Sequence, residues 1–198
     1  MDPDRTHSSR DRLLLAGKRL FAQHGYEQTS TAAISRQAGS SESQLVRYFG
    51  GKSGLLQAIF DDSWKALNPE IEKRVEAAAN AREAVTAILL LIMDAFSRDS
   101  DLATVFLFEG RRIRGDEPQL SRGFLQFLEL VGNLIRSGQQ DGSFRSDFDA
   151  AVIEAGVVGA AEGMIRDRLL ADRFGRAEPF DEAAVRRVFE AFVRGLAP

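Results

Sequence analysis

The chain has 198 residues, a formal net charge of −3, 44% hydrophobic residues and no cysteine. That is enough apolar material for one domain with a real core, or for a small domain fused to a larger one. Without cysteine there are no disulfide frameworks, cysteine zinc sites or cysteine nucleophiles, and with only His7 and His24 no histidine-rich metal site is expected.

Almost every segment carries helical spacing, and no sustained period-two alternation occurs. The first predicted helix runs from about residue 9 to 24, with Leu13, Ala16, Gly17, Leu20 and Phe21 as its apolar stripe and Gly25 just past its end. A second starts at a Thr29 or Ser30 cap and ends before Gly39. A third starts at Ser41, where Ser41-Glu42-Ser43-Gln44 has the form of a capping box. Gly50-Gly51 breaks the chain, and a longer helix begins near Lys52. Further breaks are expected at Asn68-Pro69, Asn80, Ser97 to Ser100, Gly115 to Pro118, Gly138 to Asp147 and Phe174 to Pro179. Between them lie helices over about 83–97, 101–114, 118–138, 147–173 and 180–195. The expected fold is all-α, with about nine helices: three in an N-terminal helix-turn-helix, the rest in a helical bundle. Residues 1–12 lack the apolar stretch of a signal peptide. The most apolar run, Ala84 to Phe96, carries Asp94 and is too short to span a bilayer. No membrane association is expected, and the cytoplasm is the expected location.

The segment Ser30 to Tyr48 joins two short helical patterns through Ala38-Gly39-Ser40-Ser41. That is the grammar of a helix-turn-helix, in which glycine makes the turn and the second helix enters the DNA major groove. The charge supports this: residues 1–52 hold eight Lys/Arg against five Asp/Glu, a net +3, and the remainder is −6. Ile34, Leu45 and Phe49 should fill a three-helix core with Leu20 and Phe21. Glu42, Ser43, Gln44, Val46 and Arg47 remain for the outward face. Gln44 can pair with adenine, Arg47 with guanine or phosphate, and Ser43 with either base or backbone. Tyr48 and Lys52 are placed to hold phosphates, as are the exposed N–H groups where the second and fourth helices begin. Thr29, Ser30, Thr31, Arg36 and Ser41 complete the candidate DNA-binding set, and double-stranded DNA is the expected partner. The alternative is an ordinary three-helix corner with solvated polar residues.

In the remainder, Trp64, Met93, Phe96, Phe106, Phe108, Phe124, Phe127 and Met164 either line a cavity or simply fill the core. Gly110 interrupts a helical pattern, and Arg111 or Arg112 pairs either with an anionic ligand or with a surface acid such as Glu109. The helix over 147–173 is apolar on nearly every face between Ala150 and Ile165, so it must be covered all round. Its own domain covers one side. A second copy, meeting Val152, Gly156, Gly159, Ala160 and Gly163, is expected on the other, the alternative being burial within the chain itself. The last helix adds a stripe of Val185, Val188, Phe189, Phe192 and Val193 to this expected dimer interface. No nucleophile–histidine pair, metal-ligand spacing or glycine-rich phosphate loop appears, so no enzyme, metal or cofactor is expected.

The order of residues over 10–56 narrows the reading. It runs through Leu13-Leu14, Ala16, Leu20-Phe21, Gly25-Tyr26 and Thr29-Ser30-Thr31. It continues through Ile34, Ala38-Gly39, Leu45, Tyr48-Phe49, Lys52 and Leu55-Leu56. This quarter of the chain resembles the N-terminal domain of TetR-family (tetracycline-repressor-like) transcriptional regulators. The resemblance implies a homodimer of subunits with a small DNA-binding domain, here 1–52, and a larger helical domain, here 53–198, for a small-molecule effector and dimerisation. The implied function is a ligand-responsive regulator, a repressor, on a pseudo-palindromic operator. The alternatives are an all-helical dimeric binding module that does not read an operator, and an all-helical enzyme. Val46 stands where the family usually has a tyrosine that touches the DNA backbone. Ser40 replaces a usual apolar residue, and Gly17 and Ser35 replace usual alanines.

Overall fold

A computed structural model describes residues 8–109, 113–114, 117–118, 122–177 and 181–198. Among the described residues there are nine helices: α1 (Ser9–His24), α2 (Thr31–Gln37), α3 (Glu42–Phe49), α4 (Lys52–Ala77), α5 (Ala81–Arg98), α6 (Ser100–Glu109), α7 (Arg122–Asp141), α8 (Ala150–Arg173) and α9 (Glu182–Arg194). A short antiparallel ribbon pairs β1 (Ile113–Arg114) with β2 (Glu117–Pro118). The chain forms two compact units. One holds the described residues up to Lys65 and those between 104 and 121. The other holds residues 66–103 and those from Arg122 onward. Helices α4 and α6 contribute residues to both.

In the first unit, each of the first three helices starts where a hydroxyl can satisfy free backbone donors. Ser8 caps α1 in a full capping box with Asp11, Ser30 caps α2 and Ser41 caps α3. The α1–α2–α3 core is built from Leu13, Phe21, Ile34 and Leu45, all buried, with Leu55 and Leu56 from α4. Leu20 and Phe49 are only half-buried, so they contribute less to it than their positions suggested. Gly54 is required for a steric reason: a Cβ there would lie 1.7 Å from the Phe49 carbonyl oxygen.

The second unit is held by apolar packing. Nine α5 residues between Ala81 and Phe96 are buried, and α5 packs against α7, α8 and α9. Phe127, Val131 and Ile135 recur every four residues on α7, and Val185, Phe189 and Val193 do so on α9. Each fully buried large side chain of this kind is worth about 1.5–3 kcal/mol. Asn80, Asp149 and Asp181 cap α5, α8 and α9.

Two expectations about elements are corrected. α4 passes through Pro69 without the break expected at Asn68-Pro69. The proline costs the helix about 3 kcal/mol, and Ile71, buried on the far side of it, favours continuation. α6 ends at Glu109, immediately before Gly110, not at residue 114; Ile113 and Arg114 pair as a strand instead. α8 is covered by its own unit on one side only. Ile153, Val157, Val158, Ala161 and Ile165 are buried, but Ala151, Val152, Ala155, Gly156 and Gly159 are open. No described helix is long and apolar enough to cross a membrane.

Candidate nucleic-acid interface

The turn between α2 and α3 is built by backbone geometry and one long-range clamp. Gly39 has φ +55°, a left-handed conformation that costs glycine little. The Ser40 N–H donates to the Ser35 carbonyl at 2.9 Å and the Gly39 N–H to Arg36 at 3.2 Å, closing the end of α2. Arg12, on α1, donates its Nε–H to the Ala38 carbonyl at 3.0 Å. The turn is therefore held against the first helix and not merely shaped by local sequence.

α3 leaves that turn with a half-formed capping box. Ser41 Oγ accepts from the Gln44 N–H at 3.2 Å. Gln44 does not reach back; its Oε1 accepts from the Ser40 hydroxyl at 2.5 Å. Glu42 Oε2 accepts from the Thr31 hydroxyl at 2.5 Å, tying the start of α3 to the start of α2. Ser43 pairs with Ser41 through their hydroxyls at 2.9 Å. Beyond these ties α3 points outward: Val46 is 54% exposed, and Arg47 and Tyr48 are exposed beside it. The Arg47 guanidinium stacks over the Tyr48 ring at 4.9 Å and donates to its hydroxyl at 3.1 Å. Stacking fixes the fork's plane while leaving donors for an incoming base edge or phosphate. Arg36 and Ser30 are also exposed.

Two residues of the expected contact set have other duties. Thr29 is buried at 3% exposure, and its hydroxyl lies 2.7 Å from the Gly25 carbonyl and 3.2 Å from that of Leu20. Lys52 donates to the carbonyls of Tyr26 at 2.9 Å and Thr29 at 3.0 Å, with its ammonium 4.3 Å from the Tyr26 ring centre. Both residues hold the α1–α2 connection. An ammonium has three donors, so at most one of Lys52's remains for a phosphate.

Sequence reasoning missed two groups. Arg12 counts in the sequence only among the eight basic residues of 1–52. Glu109, read as a surface partner for the following arginines, is buried at 4% exposure and accepts the Tyr26 N–H at 3.0 Å. It thereby satisfies a backbone donor just after α1. The partners are 26 and 83 residues away in sequence, respectively, and neither pairing leaves a local pattern. Arg10 also bridges Asp62 through both guanidinium nitrogens, at 3.0 and 3.2 Å. That hydrogen bond holds the Arg10 pKa above its ordinary value.

The candidate pocket residues fall into separate groups. In the first unit, Phe106 meets Phe60 and Trp64 edge-on, at 4.7 and 5.7 Å between ring centres, while Phe108 is exposed. In the second, Met93 and Met164 line one small crevice of about 30 Å³ and Phe96 lines another. Phe124 and Phe127 stack at 6.1 Å. Arg111 and Arg112 lie outside the described residues.

The expected dimer residues also divide. Val152, Gly156, Gly159 and Phe192 are exposed, and Ala160 and Gly163 half-buried. Val185 and Phe189 are buried in their own unit, at 8% and 0% exposure, and cannot face a partner. The outward apolar residues of α9 are Val188, at 58%, and Phe192, at 41%. Gly156 lies beside Phe192: a Cβ there would sit 3.9 Å from its ring, an ordinary contact that does not require glycine.

Comparison with known proteins agrees with this geometry. Residues 13–59 match the family described as "Bacterial regulatory proteins, tetR family", and residues 60–174 match "YsiA-like protein, C-terminal region". The chain is 21% identical over 183 residues to the fatty acid metabolism regulator protein of Bacillus subtilis, covering 91% of this chain and 92% of that one. It is 24% identical over 155 residues to the transcriptional repressor KstR2 of Mycolicibacterium smegmatis, covering 76% and 75%. The crystal structure of FadR from Bacillus subtilis in complex with stearoyl-CoA superposes with a TM-score of 0.81 at 17% identity, covering 95% and 99%. The chain belongs to the TetR family of bacterial regulatory proteins, and it is a DNA-binding transcriptional regulator.

Proposed function

We propose that this protein is a cytoplasmic repressor that binds a pseudo-palindromic operator as a homodimer and is released by a small-molecule effector. The observation that carries the reading is the outer face of α3. Val46, Arg47 and Tyr48 are exposed, while clamps from Arg12, Thr29, Lys52 and Glu109 hold the helix-turn-helix behind them. In this reading residues 1–52 read DNA and residues 53–198 sense the effector and dimerise. Arg47 and Gln44 carry sequence preference, Val46 meets a thymine methyl, and Ser30, Thr31, Arg36, Ser41, Ser43 and Tyr48 set register on phosphates.

The dimer is supported by the open apolar face of Val152, Gly156 and Gly159 on α8 with Val188 and Phe192 on α9. A twofold partner there sets two recognition helices about 34–36 Å apart, in successive major grooves. Helices α4 and α6, which contribute residues to both units, are the proposed levers by which an effector shifts the population away from the DNA-competent spacing. Fatty acyl thioesters of coenzyme A are the first effector class to test, because the B. subtilis relative was crystallised with stearoyl-CoA.

The test is selection of bound genomic fragments, footprinting of the enriched site and titration of stearoyl-CoA onto the complex. The expected result is an inverted repeat bound by two chains, with affinity falling about 5–150-fold on effector addition. Binding without sequence preference at every salt concentration overturns operator reading. Unchanged affinity across an acyl-CoA series overturns that effector class.

A further inference from the structure

The second unit carries a cleft of about 400 Å³ framed by the end of α4, the first turns of α5 and α9. Four arginines line it: Arg74, Arg82, Arg186 and Arg194. Two carboxylates, Glu83 and Glu190, line it with them, leaving a local excess of two positive charges. Among the described residues none of the four guanidinium groups makes a hydrogen bond or ion pair, and the Nε of Arg82 is buried with no partner. A buried polar group without a partner costs about 1–3 kcal/mol, and like charges gathered in a concavity add to that cost. An arrangement of this kind is unfavourable when empty and favourable when an anion fills it.

The placement is not an accident of one flexible side chain. Arg186, Glu190 and Arg194 follow at intervals of four and so share one face of α9. Arg82 stands in the first turn of α5, on the opposite wall. Arginine forks match phosphate oxygens two at a time, and the volume is in the range of small-molecule sites. The apolar residues Val188 and Phe192 lie on a different face of α9 from Arg186, Glu190 and Arg194.

We propose that the cleft binds a small molecule bearing a diphosphate group, with Arg82 and Arg186 gripping it from the two walls. The proposal stands independently of the effector class named above, because its test reads binding of the diphosphate itself. The test is calorimetric titration of the full chain with inorganic pyrophosphate at constant ionic strength, with ADP and coenzyme A in parallel. The expected result is saturable binding of one pyrophosphate per chain. R82Q/R186Q weakens it about tenfold or more, roughly the loss of one charge-assisted contact. R186Q/R194Q, which changes only exposed arginines and does not threaten folding, weakens it similarly. R173Q/R176Q removes the same charge from exposed arginines outside the cleft and leaves binding unchanged. A tighter fit for ADP or for coenzyme A supports the site and identifies the source of the diphosphate. Absence of saturable pyrophosphate binding, or equal losses in the cleft and control variants, overturns the proposal.

Discussion

The two units are held by different physics. In the helix-turn-helix, side chains gripping backbone carbonyls and amides fix the geometry around its apolar core: Arg12 on Ala38, Thr29 on Gly25, Lys52 on Tyr26 and Thr29, Glu109 on the Tyr26 N–H. The second unit packs α5 among α7, α8 and α9 through apolar stripes. A directed clamp fixes orientation, which a reading head needs. An apolar stripe fixes proximity, and it leaves surface open where the stripe is wider than one chain can cover, as on α8.

The comparison is broken most strongly in the apolar unit. Phe189→Ala should cost about 3–5 kcal/mol by thermal or denaturant unfolding, because its ring is wholly enclosed. Val188→Ser with Phe192→Ser, one to three residues away, should leave the second unit's own core intact. It should shift the assembly to lower mass in sedimentation; an unchanged mass would remove that face from the proposed dimer.

Smaller losses are expected from the clamps. Arg12→Ala and Glu109→Ala should each cost about 1–3 kcal/mol of stability by leaving a backbone group without its partner. Both should weaken binding to all DNA sequences alike. Lys52→Ala should do the same, with a measurable loss of stability that a residue serving only phosphates would not show. Arg47→Ala sharpens the contrast: its melting temperature should not move, while specific affinity falls by about 1–3 kcal/mol for the lost base contact. A drop in specific and non-specific binding of equal size would make Arg47 a phosphate contact instead.

The smallest effect is expected from acid. The Ser143 hydroxyl holds the Asp141 carboxyl below its ordinary range, and Arg145 does so for Asp147. A depressed folded-state pKa contributes stability that is present above the unfolded value of about 3.9 and lost as pH falls through the folded one. Both groups are exposed, so the unfolding midpoint should be flat between about pH 6 and 8, and Asp147→Asn should soften only the decline below about pH 4.

Much of the architecture was legible in the residues because it is local. Ser30, Asn80 and Gly25 mark helix ends through their own hydrogen bonds or backbone freedom, and the Ala38-Gly39 turn announces itself. Burial periodicity identified α5 and α7 for the same reason. Pro69 misled, since a local cost of about 3 kcal/mol does not by itself decide where a helix ends. Thr29 and Lys52 misled too, because a polar side chain beside a DNA-reading helix looks the same whether it faces outward or grips the backbone behind.

By itself, then, the order of amino acids determined the helical class and marked the helix-turn-helix with its Ser30 and Ser41 caps, signals that lie within about one turn of each residue. Only the tertiary structure decided that Glu109 serves Tyr26, that Arg12 clamps the turn, that Phe189 faces inward while Phe192 does not, and that four arginines share one cleft. Those relations join residues dozens of positions apart, and nothing in a local pattern encodes which distant groups the packing of helices will bring within bonding distance.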